Sequence, residues 1–160
     1  MKMSGGVEWA LHCCVALTAA EQPVPAARLA ALHDVSPSYL AKQMQDLSRA
    51  GLVRSVQGQA GGYVLTRAPD DITILDVVEA VDGAAPAFVC TEIRQRGPLA
   101  AAPEACERPC AINRAMTAAD AAWRASLRTV TIGDLAREVT ATNGPEIIAG
   151  ISAWLRSPAI

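Results

Sequence analysis

The stretch Ser36-Pro37-Ser38-Tyr39-Leu40-Ala41-Lys42-Gln43-Met44-Gln45-Asp46-Leu47-Ser48-Arg49-Ala50-Gly51-Leu52-Val53 holds a whole helix with its start and stop signals. Ser36 offers an N-cap oxygen, and Pro37 falls at the first helical position, where its missing N–H costs nothing. Leu40, Met44 and Leu47 recur at helical spacing, and Ala50-Gly51 supplies the C-cap. The other face is expected to present Ser38, Tyr39, Lys42 and Gln43, which can donate to phosphates or base edges. A short amphipathic helix with such a polar face reads as a recognition helix.

Working outward, Ala26 to His33 makes a short preceding helix with Leu29 and Leu32 inward, and Asp34-Val35 turns the chain. Downstream, Leu52 to Val56 alternates like a strand, Gln57-Gly58-Gln59-Ala60-Gly61-Gly62 forms a tip, and Tyr63 to Thr66 returns. Helix-turn-helix followed by a hairpin is the winged-helix arrangement. Lys42, Arg54 and the backbones of Gly61 and Gly62 are expected to hold phosphates. Ser38, Tyr39 and Gln43 would approach bases, with Gln59 at a wing tip entering the minor groove. The ionisable residues agree: from Ser36 to Arg67 they are Lys42, Asp46, Arg49, Arg54 and Arg67, a balance of +3. From Ala68 to Asp120 nine acids face four arginines, a balance of −5, so only the first segment suits a phosphate backbone.

The flanking segments complete a mainly α fold with a small β-wing. Gly6 to Ala20 is predicted as a first helix with Val7, Leu11, Cys14 and Leu17 inward. A helix begins at Asp70-Asp71-Ile72-Thr73 and runs through Asp82, with Ile74, Val77, Val78 and Val81 inward and Gly83 as its stop. Ala84 to Pro109 has no sustained period and contains five prolines and glycines, the signature of a functional loop. Ala111 to Arg128 resumes a helical stripe through Ile112, Ala115, Met116, Ala119, Ala122, Trp123 and Leu127, which suits dimerisation. Thr131 caps a helix through Val139, and Pro145 to Leu155 forms the last. The expected organisation is a winged helix-turn-helix DNA-binding domain over 1–83, a cluster-binding loop over 84–110, and dimerisation and C-terminal helices over 111–160.

With 160 residues and a net charge of −2, the chain is neither a polycationic coat nor a disordered tail. No apolar run approaches the roughly 20 residues needed to span a bilayer, and no export signal is visible, so a cytoplasmic location is expected. No nucleophile–base pairing or phosphate loop points to an enzyme. Five cysteines in a reducing compartment argue for thiols that are buried, metal-bound or redox-active. Three of them, Cys90, Cys106 and Cys110, fall in or at the end of the loop. Glu8 and His12 lie one turn apart on the first helix and point the same way. Soft thiolates with an imidazole and a carboxylate can hold a metal or an iron-sulfur cluster. Cys13 and Cys14 read instead as buried small hydrophobes.

These residues resemble the Rrf-two type of winged-helix transcription factors. The likeness is carried by Leu40-Ala41-Lys42-Gln43-Met44-Gln45-Asp46-Leu47, Ala50-Gly51-Leu52-Val53, Gly61-Gly62-Tyr63-Val64-Leu65 and Ile74-Leu75-Asp76-Val77-Val78-Glu79-Ala80-Val81-Asp82-Gly83. The family has cluster cysteines after that last helix and a long dimerising helix beyond them. Here fifteen residues separate Cys90 from Cys106 and three separate Cys106 from Cys110, an uneven spacing that departs from the family's common three-cysteine pattern. The amino terminus, Ser4 to Cys14, is similar to the RsrR-type branch, which holds a 2Fe-2S cluster with one Glu, one His and two Cys. That resemblance implies Glu8, His12, Cys90 and Cys110 as ligands, the first two from one subunit and the cysteines from its partner, with Cys106 as a spare or alternate ligand. Trp9, beside Glu8, is then a candidate redox relay. The implied protein is a homodimeric, redox-sensing repressor of a pseudo-palindromic operator in double-stranded DNA. Two alternatives stay open: a zinc site of Cys90, Cys106, Cys110 and His12 in a redox-insensitive regulator, and a cluster-free interaction module that binds a metabolic enzyme.

Overall fold

The computed structural model describes residues 3–58 and 61–157. Seven α-helices and one hairpin follow in the order α1 (Gly5–Thr18), α2 (Ala26–Leu32), α3 (Pro37–Arg49), β1 (Val53–Val56), β2 (Gly62–Leu65), α4 (Ile74–Asp82), α5 (Ala111–Arg128), α6 (Ile132–Asn143) and α7 (Glu146–Arg156). The predicted elements are all present, with ends shifted by a few residues; α6 runs on to Asn143, and α4 begins only after a 3-10 turn over Pro69–Asp71. The expected mainly α fold with a β-wing is the observed one. The chain divides into two units. One is Ala85–Ser126, and the other contains the winged helix together with α6 and α7. Ile132 at the start of α6 is fully buried in the core of the winged helix.

In that larger unit α1 is buried on more than one side: Gly6, Val7, Ala10, Cys13, Cys14, Ala16 and Leu17 are all inside. It is the central helix, packing against α3, α4 and α6. Leu29, Leu40, Met44 and Leu47 are completely buried and Leu52 nearly so. Each such side chain contributes about 1.5–3 kcal/mol of transfer free energy. Ser36 takes the extended N-cap conformation, but its hydroxyl bonds Ser38 Oγ at 2.8 Å rather than a backbone N–H. Gly51 ends α3 at φ 71°, a conformation that favours glycine.

Two capping boxes set the positions of α4 and α6. Thr73 accepts from Asp76 N at 3.1 Å while Asp76 Oδ2 accepts from Thr73 N at 2.8 Å. Thr131 and Asp134 repeat the arrangement at 3.0 and 2.9 Å. The two helix starts are laced together, since Ile132 N donates to Ile72 O and Ile74 N to Val130 O, at 2.8 and 2.9 Å. At the other end of the unit, α7 is held by Arg28 of α2. Its guanidinium is buried with no acid partner among the described residues; it donates from Nε (3.1 Å) and Nη2 to the Trp154 carbonyl and lies 4.4 Å over the Trp154 ring.

The hairpin is antiparallel with Val53 opposite Leu65 and Val56 opposite Gly62. Val24, between α1 and α2, adds a bridge to Tyr63, with N–H to carbonyl bonds of 3.0 and 2.8 Å in both directions. This close approach explains Gly62, where a Cβ would collide with the Val24 carbonyl.

In the smaller unit, 3-10 turns at Ile93–Gln95 and Pro103–Cys106 interrupt the loop. Asp120 and Arg124 of α5 form an ion pair at 2.9 Å, and they tie residues 85–87 to the helix through Ala87 N and the Ala85 carbonyl.

Candidate functional site

The recognition helix α3 and the wing form one candidate surface. Ser38, Tyr39 and Lys42 are exposed on α3, as expected, and Arg54 is exposed on β1. Lys42 Nζ stands 3.3 Å from Asp46, which also takes Arg49 at 2.5 Å, so two cations line that edge of the helix around one partly shielded acid. Gln43 departs from the expectation. It is 2 % exposed, its amide lies against Gly6 of α1, and its Oε1 has no hydrogen-bond partner among the described residues. It belongs to the buried face and does not reach a base edge. Gly61 is also corrected: its N–H donates to Gly58 O at 2.9 Å and closes the wing turn, so it is not free for a phosphate. A Cβ there would lie 2.5 Å from the Val56 carbonyl. Gln59 lies outside the described residues.

The second candidate set is split between the two units. Glu8 and His12 are both exposed on one face of α1. They stand at the rim of a cavity of about 580 Å³, walled by apolar side chains of α1, α4 and α6, including Leu11, Ile74, Val78 and Val139. Behind His12 lies His33, with ring centroids 5.6 Å apart, and half-buried Trp9 is 6.2 Å from the same ring. Burial lowers the His33 pKa, and a positive charge on His12 would lower it further. Cys13 and Cys14, next in sequence, are fully buried, and burial pushes the Cys13 thiol up to about 12 and Cys14 higher still. They stay protonated and are unfit as ligands, as expected of small core residues.

In the smaller unit Cys90 is exposed, and Cys106 and Cys110 are half-buried. The three do not share one environment. Cys110 Sγ accepts the Asn113 N–H at 3.3 Å in the first turn of α5. Arg94, which the sequence did not single out, binds Glu92 through Nε and Nη2 at 2.5 and 2.7 Å and reaches the carbonyls of Ala105, Cys106 and Arg108. Among the described residues of a single chain, no three His, Cys, Asp or Glu side chains converge as a metal site. The donor types nevertheless fit a cluster: one carboxylate and one imidazole accessible together on α1, and two loop thiols accessible to ligate.

A helix-turn-helix with a wing, a long helix without a buried residue, and a cysteine loop before it define a winged-helix regulator class. The comparisons narrow it. The sequence profile of the Rrf2 family, described as "Iron-dependent Transcriptional regulator", matches residues 3–138, and the chain belongs to that family. It is 45% identical over 76 residues to the HTH-type transcriptional regulator IscR of Aliivibrio salmonicida (strain LFI1238), covering 48% of this chain and 45% of that one. The chain spans about half the length of the curated relatives it matches. Among solved structures, CymR (YrzC), the global cysteine regulator of B. subtilis, superposes with a TM-score of 0.67 at 26% identity, over 86% of this chain and 98% of that one. The IscR of T. potens superposes with a TM-score of 0.64 at 23% identity, over 87% and 88%, a likeness of fold. No described helix is long and apolar enough to cross a membrane.

Proposed function

We propose that the chain is a homodimeric DNA-binding transcriptional regulator, a repressor of the RsrR-like branch working in the cytoplasm, whose affinity for its operator is set by a 2Fe-2S cluster. Glu8 and His12 of one subunit and Cys90 and Cys110 of its partner would hold the cluster. The observation that carries this reading is the pairing of Glu8 and His12, side by side and exposed at the rim of an apolar cavity, while the adjacent thiols Cys13 and Cys14 are buried and protonated. When bound, such a group supplies reversible one-electron chemistry. With two thiolates, one carboxylate and a neutral imidazole, the oxidised site carries a formal charge of −1 against −2 for four thiolates, which favours reduction at a higher potential. Trp9 is the proposed relay from Glu8 and His12 toward His33 and the recognition helices, and Trp9→Phe should abolish the redox dependence of DNA affinity. Ser38, Tyr39, Lys42 and Arg54 form the DNA face, reading a pseudo-palindromic site in double-stranded DNA.

The test is a visible spectrum of anaerobically purified protein before and after dithionite, with iron and sulfide analysis. A cluster spectrum that bleaches on reduction, and that changes in Glu8→Ala and Cys110→Ala, is expected. Colourless protein containing zinc would replace this reading with a structural metal site. Colourless, metal-free protein that fails to shift genomic DNA fragments would leave the interaction module.

A further inference from the structure

Arg94 sits in a loop whose sequence would pass for a solvated charge pair, yet each of its three guanidinium nitrogens is engaged. Nε and Nη2 take both oxygens of Glu92 at 2.5 and 2.7 Å. Nη1 donates to the Ala105 carbonyl at 3.2 Å, and Nη2 also reaches the Arg108 and Cys106 carbonyls at 3.1 and 3.5 Å. The Arg94 carbonyl in turn accepts from Ala101 N at 2.8 Å. Side-chain exposures of 27% for Arg94 and 33% for Glu92 separate this pair from the freely solvated surface pairs that contribute little. Glu92 is one of two non-glycine residues at positive φ, 49°, among the described residues, a backbone conformation uncommon outside glycine. Only a planar five-donor fork can serve a bidentate carboxylate and a turn of carbonyls together.

We propose that Arg94, backed by Glu92, is the positioning residue of the cysteine loop: it fastens the 92 end of the loop to the 105–108 turn, holding Cys90 and Cys110 ready to ligate, and places a fixed positive charge beside the thiolates. Cys106, whose carbonyl faces Arg94, then serves the turn rather than the cluster. The inference deepens the cluster reading above and rests on it for the effect on potential, but its effect on the loop is independent of any metal. A cation beside the thiolates favours the reduced, more negative site, so removing it makes reduction harder.

Hydrogen exchange on the full-length, metal-free, reduced protein tests the clasp directly. Arg94→Ala should speed exchange of the 94–108 amides at least tenfold and leave α1–α4 unchanged, Glu92→Gln should give a smaller effect, and Arg94→Lys should rescue only in part. On cluster-loaded protein, Arg94→Ala should lower the reduced-to-oxidised ratio at a fixed potential about tenfold, about 59 mV for one electron. Arg94→Lys, which keeps the charge, should recover most of that shift. Cys106→Ser should retain the cluster spectrum. Unchanged exchange in Arg94→Ala overturns the clasp, and a loaded Arg94→Ala protein with wild-type potential overturns the electrostatic role. If wild-type protein takes up no cluster, the cluster reading fails while the exchange result still decides the clasp.

Discussion

Gln43 lies three residues after Leu40 and one before Met44. At about 100° per residue it falls about 40° outside the arc those two share with Leu47, at the border of the apolar face, while Ser38 and Lys42 point to the other side; the packing of α1 at Gly6 is what covers it. A polar side chain carried into the core by this geometry leaves an acceptor unmet. Gln43→Met is therefore expected to stabilise the protein by on the order of 1 kcal/mol, a rise of about 2–4 °C in Tm, with no change in DNA affinity. Calorimetry and a binding titration on the same variant check both halves; lost affinity would return Gln43 to the DNA face. Lys42 is the opposite case, with its side chain 69% exposed and only the Asp46 pair to lose. Lys42→Ala should weaken binding to all DNA sequences alike and reduce the salt-dependence slope by about 0.9 per site, while stability changes by less than about 1 kcal/mol. Titrations against specific and random duplexes at several salt concentrations read the slope, and a loss confined to the operator contradicts a phosphate contact.

Among the elements, α6 depends on its capping box. Thr131→Ala removes the oxygen that accepts Asp134 N and is expected to cost about 1 kcal/mol, seen as a fall of about 2–4 °C in Tm. Asp134 adds a pH signature. The Thr131 N–H, then Arg137 and the Thr131 hydroxyl, hold its carboxyl down to about 2, below the ordinary 3.8. A depressed folded-state value means that this contribution is fully present above the unfolded value and disappears as pH falls through about 2. Thermal midpoints measured from pH 5 to pH 2 should fall more steeply for wild type than for Asp134→Asn; parallel curves would show that the carboxylate adds nothing. The Thr131 cap was legible because a Thr followed three residues later by Asp precedes an apolar run. The equivalent box at Thr73 was hidden behind Asp70-Asp71, which pulled the predicted start of α4 four residues early. Arg28 gave no such signal, since its partner is a backbone carbonyl more than a hundred residues away.

For the whole molecule, α5 is the open question that stability alone does not answer. It is an 18-residue helix with no buried residue, and Ile112 and Met116 are 65% and 42% exposed on its apolar stripe. Within a single chain the Ile112 and Met116 part of that stripe stays exposed, whereas a second copy of the same helix would cover it. Ile112→Asp with Met116→Asp should convert a dimer to a monomer in sedimentation velocity and weaken operator binding far more than binding to a half-site. A wild-type monomer at micromolar concentration would remove the dimer from the proposal.

Periodicity, caps and turn residues were enough for the sequence to determine the helix order, the wing, the exposed polar face of α3 at Ser38, Tyr39 and Lys42, and the chemical types of the candidate ligands. These are local properties, written in spacings of two to four residues. The tertiary structure alone decided that Gln43 and the Gly61 N–H are spent internally, that α6 and α7 join the winged helix, and that Arg94 gathers the cysteine loop. Each of those depends on what a side chain or amide meets across the fold, and such partners leave no period in the chain.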